Sequence, residues 1–263
     1  IMYEFHTDYK KYFEIQLSNA KQWVLPFIKE AKEFGKGTKV LEIGCGQGSL
    51  LKAFSAEGCV CVGVEMYALW LEKANEWLAE EIKEGTVRLI DSNIYHVNAD
   101  KDLGTKFDII VLKDVIEHIH DQEKLIAWMK HFLNPGGVIF FGFPPWQMPY
   151  GGHQQMLQGW LGKTPYWHML PMPVFKALMR KSNQYSDDLV EIKETGISIE
   201  RFERITRRTG YEIVKQKHWM VNPVYEYKFG WKPRVQLGLI KAIPFFRNFF
   251  TTAVYYIIRP KEE

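Results

Sequence analysis

The eight residues from Asp114 to Asp121, DVIEHIHD, gather three carboxylates and two histidines directly after an apolar run. Asp114, Glu117 and His118 stand at i, i+3 and i+4, so they would share one face if the segment were helical. Such side chains could hold a divalent cation or exchange protons with a substrate. The spacing equally fits a helix start, with Asp114 accepting from free amide groups and Glu117 reaching back. Taken alone, the octet favours the helix cap and leaves the two chemical alternatives open.

A second pattern, VLEIGCGQGSLLKAF, places Gly44, Gly46 and Gly48 between an apolar strand pattern and a helical one. Glycines at a strand-to-helix turn let a ligand lie against the backbone and adopt dihedral angles that other residues resist. The dinucleotide fingerprint G-x-G-x-x-G is not met, because its third position is Ser49, and the Gly-Lys-Ser/Thr of a P-loop is also missing. The turn predicts a nucleotide site of another kind.

Two acidic residues near this turn indicate the ligand's chemistry. Glu65 closes the second strand pattern, in VGVEM, where a carboxylate can accept hydrogen bonds from both hydroxyls of a ribose. Glu42 adds negative charge beside the glycines. This charge suits a cationic ligand better than a pyrophosphate. The pair predicts a nucleoside that carries a positive charge.

A regular alternation of elements must position these residues. Apolar residues at helical spacing over 8–34 indicate one or two leading helices. From 38 to 144, short apolar runs such as TKVLEIG, CVCVGVE and FDIIVL alternate with helical patterns such as GSLLKAFSAE and DQEKLIAWMKHFL. This alternation predicts a parallel sheet with helices on both faces, because right-handed crossovers place them there.

The alternation stops at 145, and Pro, Gly, Trp, Met and His dominate until 197. So long a stretch between regular elements is usually functional, and we expect a lid over the carboxyl ends of the strands. A helix from the N-cap Ser198 to a stop at Gly210 and two strands, YEIVKQKHWMV and TTAVYYIIR, should follow. The predicted organisation is N-terminal helices covering the site at 1–37, a core at 38–144, the lid at 145–197, and a C-terminal part at 198–263 with a second insertion at 222–248.

The composition fits a folded globular protein. The 263 residues, 46% hydrophobic and 25% charged, can bury a large core without disulfides or metals. The net charge of +3 is too small to indicate a nucleic-acid binder. The three cysteines, Cys45, Cys59 and Cys61, lie in or beside apolar runs, and no basic-then-apolar leader is visible. We therefore expect reduced thiols and a cytoplasmic location.

The stretch AIPFFRNFFTTAVYYIIRP near the end is strongly apolar. Its longest uncharged run, from Asn248 to Ile258, is well short of the ~20 residues that span a bilayer. A spanning helix is therefore not predicted, and peripheral contact with a membrane surface stays open.

Taken together, VLEIGCGQG, Glu65 and LNPGGVIFFGFP resemble the first motif, the ribose-binding acid and the fifth strand of the class I S-adenosylmethionine-dependent methyltransferases. ISIERFERITRRTGYEIV and TTAVYYIIR are similar to their late helix, sixth strand and seventh strand. The resemblance implies an α/β fold: a doubly wound, Rossmann-like sheet of seven mostly parallel strands with an antiparallel last strand, plus a helical, aromatic lid insertion.

The same resemblance implies S-adenosylmethionine as the cofactor. Asn93 stands where the family commonly has an Asp near the adenine, and Asp91 lies two residues earlier. The residues expected at the cofactor are Glu42, Gly44, Cys45, Gly46, Gly48, Glu65, Met66, Asp91, Asn93 and Lys113.

The segment DVIEH resembles the EVIEH of ubiquinone-pathway O-methyltransferases and of small-RNA-end methyltransferases, in which two acids and two histidines can hold a divalent ion. Carried over, the resemblance makes Asp114, Glu117, His118 and His153 candidate ligands of Mg²⁺ or Zn²⁺. Many relatives carry a similar Glu-His pair without a metal, so both alternatives stay open.

Methyl transfer to oxygen would be assisted by a base near the acceptor hydroxyl, by about 10²- to 10⁴-fold. His153, in YGGHQQ after the fifth strand, is the first candidate for this base, and His118 is the second. A hydrogen-bonded lid histidine is the alternative for His153. His168, between Trp167 and Met169, is expected to be a packing residue.

Aromatic residues in the lid favour a small apolar or ring-bearing acceptor; they are Trp146, Tyr150, Trp160, Tyr166 and Trp167. An RNA-end or protein methyltransferase should instead show an open basic groove, so nucleic acid is not the expected partner. A non-catalytic relative that only binds S-adenosylmethionine is a third alternative. The sequence does not indicate the oligomeric state.

Overall fold

Eight strands pair into one sheet in the computed structural model, which describes residues 8–261 apart from the side chain of Gln155. Their order across the sheet is β3-β2-β1-β4-β5-β8-β6-β7. The strands are β1 Lys39–Ile43, β2 Val60–Glu65, β3 Val87–Asp91, β4 Phe107–Lys113, β5 Leu133–Phe143, β6 Tyr211–Val221, β7 Arg234–Val235 and β8 Ala253–Pro260. β1 to β5 pair in parallel, and β8 is antiparallel to both β5 and β6. The predicted doubly wound sheet with an antiparallel last strand is confirmed.

The number of strands differs from the seven that the sequence predicts. The additional strand, β7, is two residues long and pairs with β6 at the edge of the sheet, where Val235 lies opposite Trp219. It lies inside 222–248, which the sequence predicts only as an insertion. Two residues are too few to produce an alternating pattern, so periodicity cannot reveal this strand.

Twelve α-helices surround the sheet in the described part of the chain. They are α1 Tyr9–Asn19, α2 Leu25–Lys29, α3 Ser49–Ala56, α4 Ala68–Trp77, α5 Ala79–Lys83, α6 Gln122–Trp128, α7 Gly159–Lys163, α8 Met172–Lys181, α9 Asp187–Thr195, α10 Ile199–Arg208, α11 Val224–Phe229 and α12 Gly238–Lys241. A π-helical turn, Ala20–Val24, joins α1 to α2. The one or two leading helices that the sequence predicts over 8–34 are present as α1 and α2. The first seven residues of the predicted N-terminal segment lie outside the described residues.

Between residues 8 and 261, no helix combines the length and the apolar character needed to cross a membrane.

Both faces of the sheet are buried. In β4, Ile110 and Leu112 join one apolar layer, whereas Ile109 and Val111 join the other. Successive side chains of a strand point to opposite faces, so the near-continuous apolar run of β4 is what burial on both sides requires. Polar side chains are thereby displaced to the ends of the strands, where the candidate site lies.

The segment 145–197 is helical, with α7, α8 and α9 enclosing an apolar core of its own that includes Leu161, Phe175 and Met179. Two hydrogen bonds attach it to the turn after β4. Thr195 Oγ1 donates to the carbonyl of Glu117 at 2.5 Å, and Gln122 Nε2 donates to the carbonyl of Thr195 at 2.6 Å. The segment is thus fixed beside the carboxyl edge of the sheet. We call it the lid below.

Candidate active site

The glycine turn between β1 and α3 is open at its centre. Gly44, Gly46 and Gly48 have φ angles of 68°, 53° and 81°, a region that favours glycine. A Cβ atom at Gly44 would meet Val115 at 2.7 Å, and one at Gly48 would meet Leu78 at 2.3 Å. At Gly46 a Cβ atom would find no atom within 4 Å. Backbone at Gly46 therefore faces open space that a ligand could occupy, whereas the other two glycines allow close packing.

Glu65 fixes the shape of this turn from the end of β2. Its side chain is buried, and its Oε2 accepts from the amide of Gly46 at 2.8 Å. Its Oε1 accepts from the amides of Met66 and Tyr67 at 2.8 and 2.9 Å. A carboxylate oxygen can accept more than one hydrogen bond, so Glu65 retains capacity for ligand hydroxyl groups.

The neighbouring strand ends form a rim next to Glu65. Asp91 lies opposite Glu65 in the pairing of β2 with β3 and is exposed. Met66 is 53% exposed, and Asn93 Nδ2 lies 3.9 Å from Met66 Sδ. Asn93 Oδ1 accepts from the amide of Tyr95, so Asn93 also begins the following short turn. The structure thus brings the predicted residues Glu65, Met66, Asp91 and Asn93 to one end of the sheet.

Buried polar atoms beside the turn have no protein partner in the described chain. They are Oε2 of Glu42 and both polar atoms of the Gln47 amide. Burial raises the pKa of Glu42 well above its usual value; Lys113 lowers it and Glu65 raises it further. Unsatisfied buried groups are costly, and a cationic ligand with hydrogen-bonding groups would satisfy them. The donors and acceptors at this turn therefore fit S-adenosylmethionine, which carries a ribose, an amino acid and a sulfonium charge.

Two of the predicted cofactor residues contribute in a different way. The Cys45 thiol points into the sheet, where a Cβ atom placed on Gly63 would meet its sulfur at 2.7 Å, so only Cys45 backbone lines the turn. Lys113 is held by two other side chains. Its Nζ donates to Gln16 Oε1 at 3.1 Å and to Asp114 Oδ2 at 2.5 Å.

The octet after β4 is a turn and does not start a helix at Asp114. Asp114 has a φ of 57°, and its amide donates to the carbonyl of Gly142 on β5 at 2.7 Å. A 3₁₀ turn, Ile116–His118, follows, and α6 begins at Gln122. Its N-cap is Asp121, which accepts from the amide of Lys124 at 3.2 Å. The interpretation of Asp114 and Glu117 as a capping pair is therefore wrong.

The two acids of this turn are in opposite electrostatic states. Burial by itself would raise the pKa of Asp114, but the charge and hydrogen bond of Lys113 outweigh it and lower the pKa below its usual value. Glu117 is buried, and neither carboxyl oxygen has a hydrogen-bond partner among the described residues. Burial, with the charge of Asp114, raises the pKa of Glu117 well above its usual value. Asp114 is thus an anion, and Glu117 favours its neutral form. The space beside Asp114, His118 and His153 is called the cleft below.

The two candidate bases lie side by side. The ring centroids of His118 and His153 are 5.1 Å apart, although the residues come from the turn after β4 and from the lid. His118 is exposed towards the cleft. Desolvation by the surrounding protein lowers its pKa, and the negative charges of Asp114 and Glu191 partly offset this lowering. His153 begins a short turn with a φ of 55°. The structure thus brings together the two histidines that the sequence selects.

The proposed metal ligands do not form a metal site in this arrangement. Within residues 8–261, no group of three or more His, Cys, Asp or Glu side chains is placed to hold a metal ion. Asp114 is paired with Lys113, and Glu117 is buried with a raised pKa. The set of Asp114, Glu117, His118 and His153 therefore does not fit Mg²⁺ or Zn²⁺ here, because Asp114 is paired with Lys113 and Glu117 favours its neutral form.

Residues that the sequence does not single out complete the cleft around Asp114. From α1, Gln16 links Lys113 to the Tyr12 hydroxyl, which accepts from Gln16 Nε2 at 2.9 Å. From α11, Lys228 Nζ lies 5.3 Å from the centroid of the Tyr12 ring. Burial lowers the pKa of Lys228 to about 8, against the opposing charge of Asp114. No local pattern marks these side chains; only the prediction that 1–37 covers the site points to α1.

Lid aromatics divide between the lid interior and its surface. Trp167 is buried and stacks on Phe175 with 4.7 Å between ring centroids, whereas Trp160 is 57% and Tyr150 40% exposed. His168 is fully buried between Gln154 Oε1 at 2.7 Å and the carbonyl of Trp146 at 2.8 Å, and burial lowers its pKa to about 4. His168 is a packing residue, as predicted.

Comparison with known proteins agrees with this geometry. A family model described as a methyltransferase domain matches residues 16–216. Among curated proteins, the chain is similar to the ubiquinone biosynthesis O-methyltransferases of Pasteurella multocida, with 30% identity over 44% of this chain and 50% of the relative, and of Coxiella burnetii strain Dugway 5J108-111, with 29% identity over 40% and 43%. The match thus spans about half the length of these relatives.

Solved structures share the fold at low sequence identity. A phosphoethanolamine N-methyltransferase 2 of Haemonchus contortus, solved with phosphomonomethylethanolamine and S-adenosylhomocysteine, aligns with a TM-score of 0.58 at 17% identity, covering 98% of this chain and 58% of that one. A geranyl diphosphate methyltransferase in complex with S-adenosylmethionine aligns with a TM-score of 0.57 at 15% identity, covering 93% and 85%.

Proposed function

Because the chain belongs to the methyltransferase domain family and has its class I, S-adenosylmethionine-dependent fold, we propose that it transfers a methyl group from S-adenosylmethionine to an oxygen of a small, apolar or ring-bearing acceptor. The observation that carries the proposal is the open space at Gly46, which lies beside the buried carboxylate of Glu65 at the carboxyl edge of the sheet. Ligands of open α/β sheets bind at this edge.

Several residues would hold the methyl donor. Glu65 would accept from the ribose hydroxyls, Asn93 and Met66 would border the adenine, and Glu42 and Gln47 would receive the polar amino-acid end. When bound, S-adenosylmethionine supplies an electrophilic methyl group on a sulfonium, which becomes a neutral thioether as the acceptor oxygen takes the methyl.

The histidine pair supports transfer to oxygen. His153, with His118 beside it, would accept the proton of the acceptor hydroxyl while the new O–C bond forms. Asp114 lies close enough to both rings to stabilise the resulting imidazolium electrostatically. The cleft walls formed by α1, α11 and the lid would hold the acceptor in line and exclude water. Such alignment can supply up to ~7 to 11 kcal/mol of the barrier reduction.

The acceptor's class follows from the curated relatives and the lid. The relatives are named ubiquinone biosynthesis O-methyltransferases, which supports an acceptor ring that carries hydroxyl groups.

The cysteines bear on the proposed location. The free, buried thiols Cys45, Cys59 and Cys61 support the expected cytoplasmic location.

A binding measurement and an activity measurement test the proposal separately. Isothermal titration of the purified chain should give a saturable signal with S-adenosylmethionine and with S-adenosylhomocysteine. Tritium from methyl-labelled S-adenosylmethionine should then appear in catechol or hydroquinone acceptors, and not in bulk RNA or protein. Without any binding of S-adenosylmethionine the whole proposal fails. Binding without transfer to a broad acceptor panel supports the non-catalytic alternative, and label in RNA or protein supports the macromolecular one.

A further inference from the structure

The chain segment that connects β7 to β8 forms an exposed apolar surface outside the candidate active site. Large apolar side chains that neither the core nor the cleft uses project from it, and several are more than half exposed. Leu239 is 86% exposed and Phe245 is 69% exposed. The C-terminal apolar patch consists of Leu237, Leu239, Ile243, Phe245, Phe246 and Phe250.

Buried polar contacts hold this patch in place from beneath. Asn248 is fully buried and donates through Nδ2 to Glu200 Oε2 at 2.6 Å, and Arg247 forms ion pairs of 2.8 and 2.9 Å with Glu200 and Glu203. Gln236, also buried, donates to the carbonyl of Phe250. The patch is therefore a defined surface whose apolar side chains point outwards because the polar ones occupy the inside.

Phe245 adopts a backbone conformation that an aromatic residue rarely takes. Its φ is 63°, and its amide donates to Glu200 Oε1 at 2.8 Å. These contacts fix the backbone and leave the ring 69% exposed, so the ring contributes little to the core and is presented at the surface.

The exposed charged side chains nearest the patch in the sequence are basic. From Tyr227 to Lys261 the sequence contains no Asp or Glu, and three basic residues that neither the cleft nor the ion pairs use, Lys232, Arg234 and Lys241, lie in this stretch. Lys232 and Arg234 are exposed, and Lys241 is partly exposed. Aromatic and aliphatic side chains bordered by Lys and Arg are the combination that inserts into the interface of an anionic membrane.

We propose that the C-terminal apolar patch docks on the surface of a bilayer containing anionic phospholipids. The apolar side chains would enter the boundary between headgroups and acyl chains, and Lys232, Arg234 and Lys241 would contact lipid phosphates. The patch adjoins the lid, because the Tyr166 hydroxyl donates to the carbonyl of Phe249 at 3.0 Å. Docking would therefore place the lid side of the cleft against the membrane. This proposal does not depend on methyl transfer.

Co-sedimentation with vesicles tests the docking. The full chain should pellet with vesicles of phosphatidylcholine plus phosphatidylglycerol and much less with phosphatidylcholine alone. The double variant Leu239→Ser/Phe245→Ser should weaken binding at least about tenfold, because two inserted side chains are lost. Lys232→Ser and Arg234→Ser should each weaken it about fivefold. Added salt should reduce binding of the unaltered chain.

Matched control variants show whether a loss of vesicle binding is specific to the patch. Val60→Ser removes an apolar side chain that is 42% exposed at the start of β2, away from the patch, and should leave vesicle binding unchanged. Every variant should bind S-adenosylmethionine as the unaltered chain does, so failure of docking and failure of the proposed function are distinguishable. If the double variant pellets with phosphatidylglycerol-containing vesicles as strongly as the unaltered chain does, the proposal is overturned. So does a concentration-dependent dimer, seen by analytical ultracentrifugation and lost in the double variant, without vesicle binding, because the patch then serves a second copy.

Discussion

The rings of His118 and His153 lie 5.1 Å apart, with their planes inclined at 42°. Two imidazoles this close do not readily carry charge together, because like charges disfavour one another. One ring can therefore be neutral while the other accepts a proton. Asp114, which acts electrostatically on both, compensates for the single positive charge.

The histidine pair yields the first prediction. His153→Ala should lower kcat by about 10²- to 10⁴-fold, because the acceptor hydroxyl loses its base. Radiolabel transfer measures the rate, and isothermal titration should show unchanged binding of S-adenosylmethionine. His131→Ala, at an exposed position after α6, is the control and should keep full activity. Unchanged turnover in His153→Ala would instead assign the role of base to His118. His118→Ala should then show the loss of kcat.

The second prediction concerns the pH dependence if His118 is the base. Surrounding protein lowers the pKa of His118, so its neutral, proton-accepting form persists below the ordinary imidazole value of about 6.5. The acid limb of the kcat/KM profile should therefore lie below pH 6.5. The charge of Asp114 opposes this lowering, so Asp114→Asn should move the limb to still lower pH. A limb above pH 6.5, or a shift to higher pH in Asp114→Asn, would contradict the assignment.

A third prediction separates the ligand cradle from backbone strain. Gly46→Ala should abolish measurable binding of S-adenosylmethionine, because its Cβ enters the space at the turn. Its φ of 53° should cost about 1 to 2 kcal/mol of stability. Gly85, with a φ of 75° and no atom near its Cβ position, is the matched control. Gly85→Ala should show a similar loss of stability in urea unfolding with normal binding. If both variants bind normally, the ligand does not lie at Gly46.

Local features made the core of the fold predictable. β6 has the predicted bounds, and Ser198 caps α10 by accepting from the amide of Arg201 at 3.1 Å, because period and cap chemistry are written in neighbouring residues. The turn at Asp114 was not predictable in the same way. Its conformation depends on a hydrogen bond to Gly142 on another strand, which no local pattern encodes.

The candidate site was predictable only in part for the same reason. The glycine turn, Glu65 and the histidines follow strand ends, and parallel strands bring these ends to one edge. Tyr12 and Lys228 reach the cleft from helices that are distant in sequence, so tertiary packing alone reveals them. The lid was expected as a helical, aromatic insertion, but its Pro and Gly content hid the bounds of its helices and the core that its apolar residues build around Phe175.

The fourth prediction tests the metal. Because Asp114 pairs with Lys113 and Glu117 is buried, EDTA should leave the rate of methyl transfer unchanged. Dialysis against chelator, followed by activity with and without added Mg²⁺ or Zn²⁺, measures this. The opposite result would be a loss of activity with EDTA that added Mg²⁺ restores in the unaltered chain but not in His118→Ala. It would show that the four proposed ligands rearrange around an ion during turnover.

The last prediction follows from the buried carboxyl of Glu117. Its pKa is raised above the unfolded value of about 4.5, so its neutral form favours the fold. This contribution is present in full below pH 4.5 and is lost as pH rises through the raised pKa. Glu117→Gln keeps the shape and removes the ionisation.

The free energy of unfolding in urea, measured at two pH values, should therefore depend on whether Glu or Gln stands at position 117. At pH 8, Glu117→Gln should be more stable than the unaltered chain by about 1 to 3 kcal/mol, because no charge has to be kept out of water. Near pH 5 the difference should shrink. Glu84→Gln, at an exposed site after α5, should change stability little at either pH. A less stable Glu117→Gln at pH 8 would mean that the carboxylate has a partner in solution. If the prediction holds, the chain keeps a destabilising acid beside its cleft, as expected where selection acts on function rather than on stability.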